Sequence, residues 1–145
     1  MAQLPDEAPN FSGSWTLRTS EKLDEYLKSE GWGLIMRKAA AAVSAYQTIE
    51  QNDKEIKVKV KNKKGTYEYT AQLDGTECKY TDNDKDEVAS STTLSDDKKQ
   101  IIEKMNKGKD SKKYTTYRYM DNGEMKLKIE NDKGKYCIRI FKKDK

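Results

Sequence analysis

The chain contains no histidine among its 145 residues. Histidine is the usual general base, a common zinc ligand, and the group that most often activates serine or cysteine nucleophiles. The chain also lacks a glycine-rich phosphate loop and any pair of closely spaced cysteines. Together these absences argue against the common catalytic and metal-binding chemistries, so the sequence predicts no catalytic residue, no metal and no cofactor.

Cysteine is scarce as well, with Cys78 and Cys137 as the two examples. We interpret them as buried free thiols in a reducing compartment, because two cysteines are too few for a disulfide framework. No apolar run reaches the length of about 18 residues that a membrane-spanning helix needs. The first residues lack the apolar centre of a signal peptide, so we expect a cytoplasmic protein, with a removed secretion signal as the alternative.

Charge is abundant and unevenly distributed. Charged residues make up 37% of the chain and hydrophobic residues 34%, and the mean hydropathy is −1.11. Residues 1–97 carry 13 basic and 18 acidic groups, whereas residues 98–145 carry 16 basic and 7 acidic groups. A basic half can bind anionic membranes or nucleic acid, or it can solvate one face of a sheet. Because its lysines alternate with apolar residues, the solvated face is the favoured interpretation.

Short segments of alternating polarity follow one another from residue 46 onward. In the clearest of them, Ile56, Val58 and Val60 alternate with lysines. Turn pairs such as Asp74-Gly75 separate these segments at the spacing of about 8–12 residues that is typical of sandwiches and barrels. We count about ten strands joined by short turns, which predicts an antiparallel up-and-down meander. Closing this sheet into a barrel would remove its exposed edges.

A helical period interrupts the strands after the first one. Ser20 is a predicted N-cap and Gly31 a predicted stop, and residues 34–45 predict a second short helix. The apolar residues at helical spacing in the first helix are Leu23, Tyr26 and Leu27. The two segments form a helical hairpin between strands.

These elements predict one all-β domain, a ten-stranded barrel over residues 11–145, with a helical cap at about 20–45. Residues 1–10 contain both prolines of the chain and are predicted to be a flexible arm. We expect a monomer.

The last predicted strand carries the strongest functional signal. Cys137, Arg139 and Phe141 lie on one face, because successive side chains of a strand alternate in direction. An arginine among apolar neighbours favours a site for an anionic group. The alternative is a solvated Arg139, with Ile138 and Ile140 inside the barrel.

A second arginine extends this signal. A barrel of about ten strands is too wide to be filled by its own side chains, so it should hold a ligand. If the apolar residues of the strand after Asn122-Gly123 face inward, Arg118 and Thr116 enter the same lumen as Arg139. Two arginines in an otherwise apolar cavity suit a carboxylate head group.

One acidic turn is a candidate for a metal site. Asp82, Asp84 and Asp86 alternate as in an EF-hand loop, but Glu87 stands at the glycine position and Thr93 at the final glutamate. We interpret this segment as a solvated acidic turn.

Several motifs resemble those of the intracellular lipid-binding proteins, the fatty-acid-binding protein family. The opening Phe-Ser-Gly-Ser-Trp-Thr-Leu resembles the family's Phe-x-Gly-x-Trp-x-Leu signature, and Cys-Ile-Arg-Ile-Phe near the end resembles its Cys-Thr-Arg-x-Tyr. The likeness runs over residues 11–143. The segments that carry it are 11–17, 20–27, 31–33, 37–38, 88–94 and 137–141.

The resemblance implies a calycin-like barrel of ten strands whose two helices form a ligand portal. It also implies a carboxylate held by an Arg-x-Tyr pair and a further arginine. Arg139 matches the first arginine and Arg118 the second, but Phe141 stands where the tyrosine is expected, which removes a hydroxyl donor. The lysine-rich stretch 60–64 also differs from the pattern of the family, because the family has an aromatic portal residue there. The full set of predicted ligand contacts is Arg139, Arg118, Phe141, Thr116, Cys137, Tyr26, Met36 and Tyr69.

Three functions follow from these patterns. The favoured hypothesis is a non-catalytic carrier of a long-chain fatty acid or similar amphiphile, with transient membrane contact through Lys28, Arg37 and Lys38 of the cap. Those three charges are alternatively ordinary solvated helix charges. The second hypothesis is a heat-soluble protective barrel with weak ligand binding, suggested by the hydrophilic composition and the missing tyrosine. Nucleic-acid binding by the basic half is the least favoured, since no known module fits, and we expect no nucleic-acid partner.

Overall fold

A computed structural model describes residues 9–144, which form ten strands and two helices. The predicted arm therefore lies, up to residue 8, outside the described residues. The strands are β1 Gly13–Glu21, β2 Ala45–Gln51, β3 Glu55–Asn62, β4 Gly65–Gln72, β5 Cys78–Thr81, β6 Glu87–Leu94, β7 Ile101–Lys107, β8 Lys112–Asp121, β9 Glu124–Asn131 and β10 Tyr136–Lys143. The helices are α1 Leu23–Ser29 and α2 Leu34–Ala41, and both lie between β1 and β2.

All ten strands belong to one antiparallel sheet in the order β4-β3-β2-β1-β10-β9-β8-β7-β6-β5. Apart from the pairing of β1 with β10, every pairing joins two strands that are consecutive in the chain, as the short turns predict. Among residues 9–144, β4 and β5 are consecutive strands that do not pair with each other. The alternation predicted for β3 is confirmed, since Ile56 and Val58 are 2% and 1% exposed and Lys59 faces solvent. The prediction of a ten-stranded up-and-down barrel is thus confirmed.

The barrel is nearly closed, because β4 and β5 lie at the two edges of the sheet order. Stacked rings connect these edges, with the ring centroids of Tyr69 and Tyr80 only 4.2 Å apart. Beside them, the Asn83 amide donates to the Gly65 carbonyl over 2.9 Å. Side chains, rather than a backbone ladder between the two strands, therefore connect this part of the wall.

The helical cap is shorter than predicted at both ends. Ser20 is not an N-cap, because it still pairs with Arg139 in the β1–β10 ladder, and α1 begins after Lys22 instead. α2 ends at Ala41 rather than at residue 45, because Ala45 already pairs with Asn62 in the β2–β3 ladder. The stop at Gly31 is confirmed: its φ is 88°, in the left-handed region that favours glycine at a helix end.

The main hydrophobic core fills one end of the barrel around Trp15, which is 2% exposed. Its indole Nε1 donates to the Phe11 carbonyl over 2.9 Å, so the polar atom of this large ring is satisfied inside the core. A second, smaller cluster joins Tyr26 and Leu27 of α1 to Cys137 of β10. The core therefore closes one end of the barrel, and the cap packs on the wall near the other.

Candidate ligand-binding site

A cavity of about 790 Å³ occupies the barrel interior. Its lining runs from the buried side chains of Arg118 and Phe141 to the exposed residues Lys109 and Asp110 of the β7–β8 turn. It is therefore open to solvent beside the helical cap, where Tyr26 also lines it. Its volume lies within the range of about 300–1,000 Å³ that is typical of small-molecule sites.

Arg139 is a cation of the cavity wall that remains available for a ligand. The β10 ladder sets it opposite Leu127 on one side and Ser20 on the other, and its side chain is half-buried in the cavity lining. Within residues 9–144 it makes no hydrogen bond or ion pair. Burial lowers the pKa of its guanidinium from the usual value, but an arginine stays protonated near neutral pH. The structure thus places Arg139 inside the barrel, as expected from the alternation of the last strand.

Arg118 lies deeper and is already engaged. It is 5% exposed, and its Nη1 donates over 2.7 Å to Oε1 of Gln47, with Sδ of Met125 at 3.2 Å. Sequence reasoning missed Gln47. The signal was available, because Gln47 shares an alternating face with Ala45 and Ile49, where an inward glutamine needs a polar partner.

The sequence reasoning also missed a buried carboxylate, that of Glu103. Glu103 is 5% exposed and lines the cavity. Its Oε1 accepts from the Tyr69 hydroxyl over 2.9 Å and its Oε2 from the Tyr80 hydroxyl over 3.0 Å. Burial and this nearby negative charge raise the pKa values of Tyr69 and Tyr80 well above their usual value, so both phenols remain donors. The predicted contact Tyr69 therefore lies in the cavity lining, with its hydroxyl turned to Glu103.

The remaining predicted contacts divide into two groups. Thr116 and Phe141 line the cavity and are 9% and 3% exposed. Cys137 lies instead under the cap, packed against Tyr26, and the described cavity lining does not include it. Met36 is also outside that lining, because α2 buries none of its side chains and leaves Met36 58% exposed.

The burial of Cys137 gives a direct chemical prediction. Burial raises the pKa of its thiol to about 11, and alkylation requires the thiolate. We expect iodoacetamide at pH 8 to leave Cys137 unmodified in the folded protein while the half-buried Cys78 reacts first. Peptide mass spectrometry at timed intervals would measure both rates, with guanidinium-unfolded protein as the control. Equal rates in the folded protein would contradict the burial of Cys137.

The acidic turn lines the open end of the cavity, and two lysines from outside the turn pair with its three carboxylates. The Lys107 ammonium lies 3.1 Å from Asp82, 2.7 Å from Asp84 and 3.8 Å from Asp86, and Lys64 also bonds Asp84. The three carboxylates are close enough together to hold a metal ion. Because Lys107 lies among them, the arrangement fits a network of ion pairs that connects the β5–β6 turn to the end of β7.

The second helix of the cap exposes apolar and charged groups. Leu34, Ile35 and Met36 are 56%, 82% and 58% exposed. Arg37 is less free than predicted, since it bonds the Asp24 carboxylate and the Trp32 carbonyl, each over 2.8 Å. Neither helix of residues 9–144 is long and apolar enough to cross a bilayer.

The nearly closed barrel, the inserted helical hairpin and the internal cavity define a calycin-like barrel. No family model matches the chain. Fatty acid-binding protein homolog 5 of Caenorhabditis elegans is 34% identical over 105 residues, which cover 71% of this chain and 75% of that protein. The chain therefore belongs to the fatty-acid-binding protein family of intracellular lipid-binding proteins.

Two further comparisons agree with this assignment. Human cellular retinoic acid-binding protein 1 is 43% identical over 42 residues, and the match spans 31% of that protein's length. The solved structure of the REP1-NXSQ fatty acid transporter is 25% identical, with a TM-score of 0.75, over 92% of this chain and 96% of that one.

Proposed function

We propose that this protein binds a long-chain fatty acid or a similar amphiphilic carboxylate inside its barrel and carries it without catalysing a reaction. The observation that carries the proposal is Arg139, a half-buried cation without a bonding partner among the described residues, facing a cavity of about 790 Å³. A buried unpaired charge is costly, and a carboxylate would remove that cost through two charge-assisted hydrogen bonds.

The two arginines have different roles in this proposal. Arg139 binds the head group, because Arg118 is occupied by Gln47 and Met125 and shares the lining with the negative charge of Glu103. Phe141 gives apolar contact in place of a hydroxyl. The acyl chain then packs on aliphatic side chains of the lining. These include Val60, Val88, Leu127 and Ile129.

The relatives support this ligand class. Their names refer to fatty acids and to retinoic acid, which are both apolar molecules with one carboxylate. The exposed apolar residues of α2 lie beside Lys38, which suits transient contact with an anionic membrane during transfer. The monomeric state and the cytoplasmic location remain predictions.

The protective-barrel hypothesis depends on the hydrophilic composition and on the missing tyrosine. A small cavity would favour it, whereas a cavity of ligand size favours the carrier. Calorimetric titration of the delipidated protein with oleate separates the two. Saturable binding of one oleate per chain, at micromolar or lower concentration, supports the carrier. If the titration shows no heat of binding and the protein stays soluble after boiling, the protective-barrel hypothesis would replace the carrier hypothesis.

A further inference from the structure

Three polar side chains form a row across neighbouring strands of the barrel wall. Thr92 of β6 pairs with Glu103 of β7, and Glu103 pairs with Thr116 of β8. They are 2%, 5% and 9% exposed. With Arg118 they form the polar part of the lining of a small cavity of about 10 Å³, which is roughly the space that one water molecule needs. The rest of that lining consists of Ile56, Val58, Tyr69 and Ile101. We call the four residues of the polar part, Thr92, Glu103, Thr116 and Arg118, the polar niche.

The niche adjoins the main cavity, because Glu103, Thr116 and Arg118 line both. A ligand in the main cavity therefore passes directly beside it. The groups in the niche can therefore contribute to ligand recognition. An acyl chain without a polar group would place hydrocarbon against the buried Glu103 carboxylate, which is unfavourable.

Thr92 has an unmet hydrogen-bonding capacity. Its Oγ1 is buried and has no hydrogen-bond partner in the part of the chain that the structure describes. A buried hydroxyl left in this way destabilises the folded protein. Because Thr92 lines the niche, a polar atom placed there would satisfy it.

The Glu103 carboxylate can also accept a further hydrogen bond from a group in the niche. A carboxylate offers about four acceptor positions. Tyr69 and Tyr80 each donate to one of its oxygens, which leaves positions for a further donor. The niche therefore combines a strong acceptor, Glu103, with a hydroxyl on Thr92 that can donate.

We propose that the polar niche binds a hydroxyl group of the ligand, so that the ligand is a long-chain carboxylic acid with a hydroxyl near mid-chain. This inference rests on the proposed function. A hydroxyl donates to Glu103 and accepts from Thr92 in one contact, and its size matches the small cavity. An ammonium group could not accept from Thr92, and a ketone could not donate to Glu103.

The strand register places this hydroxyl away from the head group. Arg139 pairs with Leu127, Leu127 with Arg118, and Arg118 with Ile101, so Arg139 and the β7 strand are three strands apart. At the usual spacing this is about 14 Å around the barrel wall. Glu103 lies two residues further along β7 than Ile101. When the carboxylate binds Arg139, the niche therefore lies beside the middle of the acyl chain and not beside the α-carbon.

Calorimetry with three acids tests the inference: stearate, stearate with a mid-chain hydroxyl, and stearate with an α-hydroxyl. We expect the mid-chain hydroxy acid to bind about tenfold more tightly than stearate. A tenfold gain corresponds to about 1.4 kcal/mol, which one hydrogen bond to a charged group can supply. The α-hydroxy acid should show no such gain. Thr92→Val and Glu103→Gln should each reduce the preference, and Thr70→Val, on an exposed position of β4, should keep it.

The outcomes separate this inference from the proposed function. Equal affinities for stearate and the mid-chain hydroxy acid would overturn the inference, and the niche would then hold an ordinary buried water. A preference that survives in both niche variants would overturn the assignment to these residues. Failure of all three acids to bind would instead remove the proposed function. Thr92→Val keeps the volume and shape of the side chain, so the test does not depend on Glu103→Gln folding.

Discussion

Replacing Arg139 by glutamine should weaken oleate binding by about tenfold to a hundredfold. The substitution removes the charge from the head-group site and leaves the lining otherwise intact, and hydrogen bonds between charged groups contribute about 1.5–3 kcal/mol. The stability of the ligand-free protein should not fall, because the lost group is a half-buried cation without a bonding partner among the described residues. Calorimetric titration measures the first effect and thermal unfolding the second.

Arg18→Gln is the matched control for this experiment. Arg18 lies on the outer surface of β1, where it bonds the Glu124 carboxylate through two nitrogens. Exposed ion pairs contribute little to stability, so this variant should bind oleate as the parent protein does. An affinity unchanged in Arg139→Gln as well would mean that apolar contacts alone hold the lipid.

Truncating Trp15 should have the largest effect on folding. Trp15→Ala should lower the free energy of unfolding by about 3–5 kcal/mol, because it leaves a cavity in the main core and orphans the Phe11 carbonyl. Urea unfolding followed by circular dichroism would measure the loss. Trp32, which is 37% exposed in the turn between the helices, is the control. Trp32→Ala should cost less than about 1 kcal/mol.

A comparable loss in the two tryptophan variants would contradict the placement of the core. Should Trp15→Ala not accumulate as folded protein, Trp15→Phe offers a smaller change of the same kind. It keeps an aromatic ring in the core but removes the indole donor to Phe11. Trp15→Phe should therefore lower the free energy of unfolding by less than Trp15→Ala does and by more than Trp32→Ala does.

Alternation predicted the strands well because one face of each is buried. The pattern of Ile56, Val58 and intervening lysines in β3 could have only one orientation toward the core. The same reasoning placed Arg139 inside. The boundaries of the cap were less predictable, since Ser20 and Ala45 have local preferences for helix ends and interiors that are outweighed by ladder pairing with Arg139 and Asn62.

The polar part of the site was harder to predict. In the segment Ile-Ile-Glu-Lys-Met, Glu103 resembles the many solvated glutamates of a highly charged chain. Its burial depends on Tyr69 and Tyr80, which are 34 and 23 residues away in the sequence. Partners at that separation become visible only when the strand register is known. Gln47 and its bond to Arg118, 71 residues away, were missed for the same reason.

Whether Arg139 holds the carboxylate of the ligand can be tested by the carbon-13 NMR signal of oleate that is labelled at its carboxyl carbon and bound to the protein. We expect a single bound resonance whose position does not change as the pH falls through the usual carboxylate range of about 4–5, because Arg139 holds the ionised form and lowers the pKa of the bound carboxyl. In Arg139→Gln the resonance should titrate at higher pH. A bound carboxyl that titrates identically in both proteins would contradict the claim that Arg139 holds the head group.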